Sequence, residues 1–141
     1  MHSDLHYMGA YNMLINVTSG LPGGKWTVLI LMLLLNFILG CLMDDFAIIT
    51  LTAPLYLPII NNLGFDPLWF GLVFLLNLQM AYLTPPFGFN LFYLKSVVPK
   101  EIKLTDIYKS VLPFIALQIV ALLICIFVPD IITWLPNKMI A

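Results

Sequence analysis

The sequence predicts an all-α integral membrane chain, built as a re-entrant helical hairpin, a broken transmembrane helix and a final transmembrane helix. Three observations carry this reading. Of the 141 residues 62% are hydrophobic and only 9% are charged, whereas soluble domains carry roughly 25% charged residues. Between Trp26 and Val98 the chain is almost uninterrupted hydrocarbon. That stretch nevertheless breaks twice, at Gly40-Cys-Leu-Met-Asp-Asp45 and at Thr84-Pro-Pro-Phe-Gly88. Polar or non-helical backbone at membrane depth survives only where protein or a wet cavity surrounds it. Paired interruptions of this kind mark the binding region of secondary transporters.

Residues 1–25 are mildly apolar and end in Thr18-Ser-Gly-Leu-Pro-Gly-Gly-Lys25, a run of helix breakers that reads as a loop after the tail of a truncated span. Residues 26–62 form the hairpin. Its first leg opens on an interfacial Trp26 beside Lys25 and runs to Leu39; its second runs from Phe46 to Ile60, with Pro54 and Pro58 inside, and stops at Asn61-Asn-Leu-Gly64. Legs of about 15 residues reach about 22 Å at 1.5 Å per residue, short of the roughly 30 Å hydrocarbon core. A re-entrant hairpin with its tip at Gly40–Asp45 is therefore favoured over two full spans.

Residues 63–98 hold the broken helix. Asp66-Pro67 is a start signal, Asp as N-cap and Pro at the first helical position. One straight helix from there to Val98 would be about 48 Å long, and Pro85 and Pro86 each lack an amide donor and clash with the preceding turn. The helix is expected to stop near Thr84 and restart at the prolines; a second hairpin is the alternative. Residues 99–110 carry Lys100, Lys103 and Lys109, with Lys95 just before, and are placed in the cytoplasm by the positive-inside rule. Thr105-Asp106 offers a cap for a short interfacial helix. Residues 111–141 hold a span from Val111 to Val128 and a tail with Trp134 at an outer interface.

The two breaks carry the chemistry. Thr84 as N-cap with Pro85 at the first helical position aims free amides and a positive dipole end into the membrane interior, where they attract a carboxylate. The helix ending at Leu83 leaves carbonyl oxygens without partners, hard ligands of the kind sodium needs; Gly88 and Asn90 add close backbone approach and side-chain polarity. A proline kink that merely shapes packing is the plain alternative. An aspartate at membrane depth costs at least about 2.5 to 3.5 kcal/mol on insertion scales, so Asp44 and Asp45 need compensation. One of them serves as helix cap for the segment from Phe46, and the other is a cation ligand or a proton carrier. Asn36, Asn77 and Gln79 lie at the same depth, as interhelical hydrogen bonds or as ligands.

Other classes are excluded or left without support. The net charge of -1 argues against a nucleic-acid partner. Cys41 and Cys125 follow no metal or disulfide spacing, and no transition-metal site is expected. His2 and His6 join no Ser/His/Asp or Cys/His constellation and no phosphate-binding glycine loop is present, so neither an enzyme nor an ATPase is expected. The N-terminus lacks the features of a signal peptide. A complete carrier does not fit in this length, so a fragment, a split-gene product or one subunit of a larger assembly is expected.

The stretch Gly40-Cys-Leu-Met-Asp44, followed by Pro54-Leu-Tyr-Leu-Pro58, Leu63-Gly-Phe-Asp-Pro67, Phe70-Gly71, Asn77, Leu83-Thr-Pro-Pro-Phe-Gly88, Asp106-Ile-Tyr and Val111-Leu-Pro-Phe, resembles the C-terminal half of the large membrane subunit of tripartite ATP-independent periplasmic (TRAP) transporters. The similarity covers about residues 26–136. It implies an elevator-type carrier of inverted repeats in the bacterial inner membrane, with Na⁺ as coupling ion and no cofactor. It further implies uptake of small organic acids handed over by a soluble periplasmic binding protein, with a small membrane subunit and the remaining half of the permease as further partners. By position, Gly40, Asp44, Leu83, Thr84 and Gly88 are implied cation ligands and Asp45 a cation ligand or cap. Asn36, Asn77, Pro85, Pro86 and Asn90 then flank the substrate. Asp45 stands where many relatives carry a proline or a small apolar residue. The alternative function is a structural or regulatory membrane subunit, or an inactive remnant, that packs against a carrier without binding its substrate.

Overall fold

The structure, a computed structural model, describes residues 22–85 and 88–140 together with Gly9, Asn12, Met13, Asn16 and Gly20. The expected truncated span before residue 25 lies for the most part outside the described residues. Among the described residues the chain forms α1 (Lys25–Leu42), α2 (Asp45–Leu63), α3 (Pro67–Leu83), α4 (Phe89–Val97), α5 (Leu104–Phe127) and α6 (Asp130–Ile140). Three of these, α1, α2 and α5, are long and apolar enough to cross a membrane.

The central element is α3, which packs against α1, α2, α4, α5 and α6. Its start follows the sequence signal: the Asp66 carboxylate accepts from the Leu68 amide at 2.9 Å, with Pro67 at the first position. Just before it, α2 ends in a left-handed Gly64 (φ 79°), where the Gly64 amide donates to the Asn61 carbonyl and the Phe65 amide to that of Ile60. Glycine adopts this conformation without a Cβ clash. Below the turn, Phe65 stacks on Trp69 at 5.4 Å and meets Trp26 edge-on at 5.3 Å, with the Lys25 ammonium 5.0 Å above the Phe65 ring. The Trp69 indole donates to the Cys125 carbonyl at 2.8 Å, joining α3 to the end of α5. The core is Leu29 and Leu33 of α1, Ile48, Tyr56 and Ile60 of α2, and Trp69, Val73, Phe74 and Leu78 of α3, with Leu122 of α5.

Several expected boundaries move. The first leg does not stop at Gly40: α1 continues to Leu42, and the break is the pair Met43-Asp44. The legs are 18 and 19 residues long, so each reaches about 27 to 28 Å. Gly40 is used for packing instead, since a Cβ there would lie 2.7 Å from the Ala81 Cβ. Its absence lets α1 and α3 approach closely, as small residues do at membrane helix interfaces. The restart also moves, because Thr84 ends α3 and α4 begins only at Phe89, after Gly88. The expected interfacial helix is continuous with the final span, giving one helix of 24 residues in which the Asp106 carboxylate accepts from the Lys103 amide at 3.2 Å. The tail is the helix α6, started by the Thr133 amide and hydroxyl both donating to the Pro129 carbonyl at 3.1 Å.

Gly40→Val is expected to force α1 and α3 apart at a cost of about 1 to 3 kcal/mol, the usual range for overpacking. A thermal melt of the purified protein checks this, and an unchanged midpoint would remove Gly40 from the account of the interface.

Candidate functional site

At the hairpin tip Met43 is extended and its amide donates back to the Leu39 carbonyl at 2.8 Å, ending α1. Asp44 is the N-cap of α2 and its carboxylate accepts from the Phe46 amide at 3.2 Å; Asp45 accepts from the same amide at 3.0 Å. One donor therefore serves two carboxylates, and both side chains remain exposed. The cap role and the free-ligand role are not divided cleanly between them.

At the second break the Thr84 hydroxyl turns back to donate to the Met80 carbonyl at 2.8 Å, while its amide donates to that of Ala81 at 3.2 Å. The expectation that Thr84 caps the restarted helix is thus corrected: a threonine hydroxyl four residues after a free helix-end carbonyl satisfies it locally. The Ala81 carbonyl also meets the Cys41 thiol at 3.8 Å. Two of the carbonyls that a helix end offers to a cation are therefore already engaged. The amides at the start of the next helix belong to residues from Phe89 onward, after Gly88 whose carbonyl accepts from Leu91 at 2.9 Å. A Cβ on Gly88 would come within 2.9 Å of the Tyr82 carbonyl, so only glycine lets the two strands of the break pass.

These elements enclose a hollow of about 540 Å³ lined by Asp44, Asp45, Tyr82, Asn90 and Tyr93. It joins the tip of the hairpin to the end of α3 and the first turn of α4. Of the expected site residues, Asp44, Asp45 and Asn90 come together here. Gly40 faces Ala81 and Leu78 in the helix interface. Leu83 borders a different groove, between α3 and α5. Asn77 is an interhelical bond, its amide donating to the Leu33 carbonyl at 2.6 Å. Asn36 is fully buried and neither end of its carboxamide has a partner; it does not line the hollow. Pro85 sits in the turn after α3, and Pro86 lies outside the described residues.

Sequence reasoning missed Tyr82 and Tyr93, which look like ordinary aromatics in an apolar run. Tyr82 had one usable signal, a hydroxyl two residues before a helix break at membrane depth. Its hydroxyl is buried without a hydrogen-bond partner.

This arrangement of acidic hairpin tip and glycine-spaced helix break coincides with a match over most of the chain. Residues 2–131 match the family described as "Tripartite ATP-independent periplasmic transporter, DctM component". The chain belongs to the TRAP transporter large permease family. It is 38% identical over 112 residues to the isethionate TRAP transporter permease protein of Oleidesulfovibrio alaskensis, covering 79% of this chain and 17% of that protein. It is 32% identical over 114 residues to the C4-dicarboxylate TRAP transporter large permease protein of Vibrio cholerae, covering 81% and 25%. It is 34% identical over 114 residues to the sialic acid TRAP transporter permease protein of Haemophilus influenzae, covering 81% and 18%. The chain thus spans a quarter or less of the length of these relatives. No solved structure matches it. The TRAP relatives are named as transporter permeases, not enzymes. Membership makes this an inner-membrane protein, in keeping with its three apolar helices of spanning length.

Tyr82→Phe removes a buried hydroxyl that has no acceptor, and such a group costs about 1 to 3 kcal/mol. The variant is expected to melt at a higher temperature than the parent in the absence of solutes, by circular dichroism or dye-based melting. A lower midpoint would mean that the hydroxyl is already bonded in the resting protein.

Proposed function

We propose that this chain is the C-terminal part of a sodium-coupled secondary transporter subunit that imports small organic acids delivered by a periplasmic binding protein. The observation that carries this reading is the hollow itself: two carboxylates, two phenols and the first turn of a helix converge at a doubly broken point of a membrane chain. Two aspartates repel an organic anion. With a sodium ion between them the local charge falls, and the α4 amides and the Asn90 carboxamide become usable donors for a carboxylate. Cation and anion then enter together or not at all, which is the physical content of symport.

Asp44 is the leading cation ligand in this reading, with Asp45 beside it. The Thr84 hydroxyl keeps acceptor capacity while it donates; Gly40, Leu83 and Gly88 line other contacts in the structure, so a share from their backbone oxygens requires the tip and the break to close on the ion. Asn90 flanks the organic acid, with Pro85 and Pro86 shaping the break.

In this reading α1 and α2 form a hairpin whose tip opens near the start of the apolar run of α5. Helix α5, 24 residues long, serves as a ruler of about 36 Å. Trp69 at the start of α3 bonds Cys125 near one end of α5, and Leu83 at the end of α3 shares a groove with Val111. The end of α3 is then level with a point seven residues inside the Leu104 end, about 10 Å along the axis. Leu91 of α4 packs on Ile107 and Val111 and fills that interval. The helix break thus sits level with Val111, where the apolar run of α5 begins, beyond the charged 99–103 loop. An elevator-type motion of this unit, with the small membrane subunit and the rest of the permease as its frame, completes the proposal. The relatives' printed substrates, isethionate, C4-dicarboxylates and sialic acid, are all organic acids.

The test is uptake of a radiolabelled organic-acid panel by proteoliposomes holding this chain, the remaining permease segments and the binding protein, with and without an inward sodium gradient. Asp44→Asn retains a good capping side chain but removes the charge, and is expected to raise the sodium concentration for half-maximal uptake by about tenfold or more, a loss of about 1.4 kcal/mol. Asp44→Ala should in addition lower stability by about 0.5 to 2 kcal/mol. Sodium activation unchanged in Asp44→Asn would reduce the aspartate to a helix cap, and sodium-independent uptake by the parent would end the symport reading.

A further inference from the structure

A second groove, of about 490 Å³, runs between α3 and α5 and is walled by Leu83, Phe114, Leu117 and Ala121 with two carboxamides, Gln79 and Gln118. Gln118 falls in the middle of the apolar run of α5, and Gln79 lines the same groove from α3. Gln118 is 14 residues from Leu104 and nine from Phe127 along α5, about 21 Å and 13 Å from the two ends. Gln79 lies four residues before the end of α3, about 6 Å along its axis. Gln79 is exposed, and the Gln118 side-chain oxygen is buried with no hydrogen-bond partner. The other exposed large side chains of α5 beyond Val111 are different: Leu112, Ile119, Val120, Leu123 and Ile124 are apolar, as suits lipid.

A lipid chain can fill an apolar groove but can satisfy neither carboxamide, whereas a helix with a hydrogen-bonding side chain can satisfy both. The relatives supply such helices in quantity, since this chain spans between 17% and 25% of the proteins described above. We infer that the α3–α5 groove seats a transmembrane helix of the remaining permease, one that presents a polar side chain with a donor to Gln118 and Gln79 at the bilayer midplane. This rests on the reading of the chain as part of a larger permease, and it names the surface through which that assembly is held. Ala121 is the small residue that lets the incoming backbone approach.

The two occupants differ in the sign of a simple substitution. A glutamine facing lipid is a burden, and replacing it by leucine stabilises the protein; a glutamine bonded to a partner helix is lost at a cost. The full chain is assembled with the remaining permease segments in nanodiscs, and Gln79→Leu and Gln118→Leu are melted beside the parent. Each variant is expected to lower the assembly's midpoint by roughly 2 °C or more. Ala121→Phe, which fills the groove without touching either carboxamide, is expected to reduce co-purification of the remaining segments at least about fivefold, a factor of the size set by about 1 kcal/mol. It carries the test where a leucine variant fails to insert. Midpoints unchanged or raised, or undiminished co-purification of Ala121→Phe, overturn the inference and leave lipid as the occupant. Failure of the parent to retain any other permease segment overturns it as well. Because these readouts are assembly and stability, they stay separable from the uptake assay: a stable assembly that transports nothing sinks the transport reading and leaves this one standing.

Discussion

The close approach of α1 to α3 is the contact on which the rest of the structure depends. In hydrocarbon no hydrophobic force drives helices together, so packing and side-chain hydrogen bonds must do so. Here the missing side chain of Gly40 admits Ala81, the Asn77 amide reaches the Leu33 carbonyl, and the Cys41 thiol rests on the Ala81 carbonyl. All three fall along one seam and fix the level at which α1 and α3 end. Because the two helices end side by side, the acidic tip and the residues flanking the second break, Tyr82 and Asn90, line the same hollow.

Much of this was legible from residue types alone. The Asp66-Pro67 start and the Asn61-Asn-Leu-Gly64 stop read correctly because capping and left-handed turns are local: each is decided by atoms within a few residues. Gly40 and Thr84 read incorrectly for one shared reason. Taken singly, each has a common local role, helix stop and helix cap, and a competing contact replaced it, tertiary for Gly40 and one turn back on the preceding helix for Thr84. For Gly40 the neighbour is Ala81, 41 positions along the chain. For Thr84 the competing acceptor is the Met80 carbonyl on the helix already formed. The tyrosines of the hollow went unread because aromatic residues in an apolar run carry no periodic signal that separates core from cavity. Asn77 was read as either a packing bond or a ligand, and its partner on α1 decided it.

The site residues divide accordingly into two groups. Asp44, Asp45 and Asn90 are at element boundaries, where sequence signals for helix starts and polar side chains coincide, and they share the hollow. Gly40, Asn36 and Asn77 lie inside helices and belong to the seam that supports it. The second group matters to the first through geometry, since a shift of α1 against α3 carries Asp44 with it across a link of only Met43.

The ends of the hairpin are held very differently. At its base, α1 and the turn after α2 are locked by Lys25, Trp26, Phe65 and Trp69, with the indole of Trp69 bonded on to α5. At its tip, the aspartates share a single amide donor. Mechanically this is a beam clamped at its base and supported again near its tip by the Gly40 and Cys41 contacts with Ala81, with only a short overhang beyond them. The greatest compliance therefore falls on that overhang, Met43 to Asp45, which carries both carboxylates beyond the last packed contact.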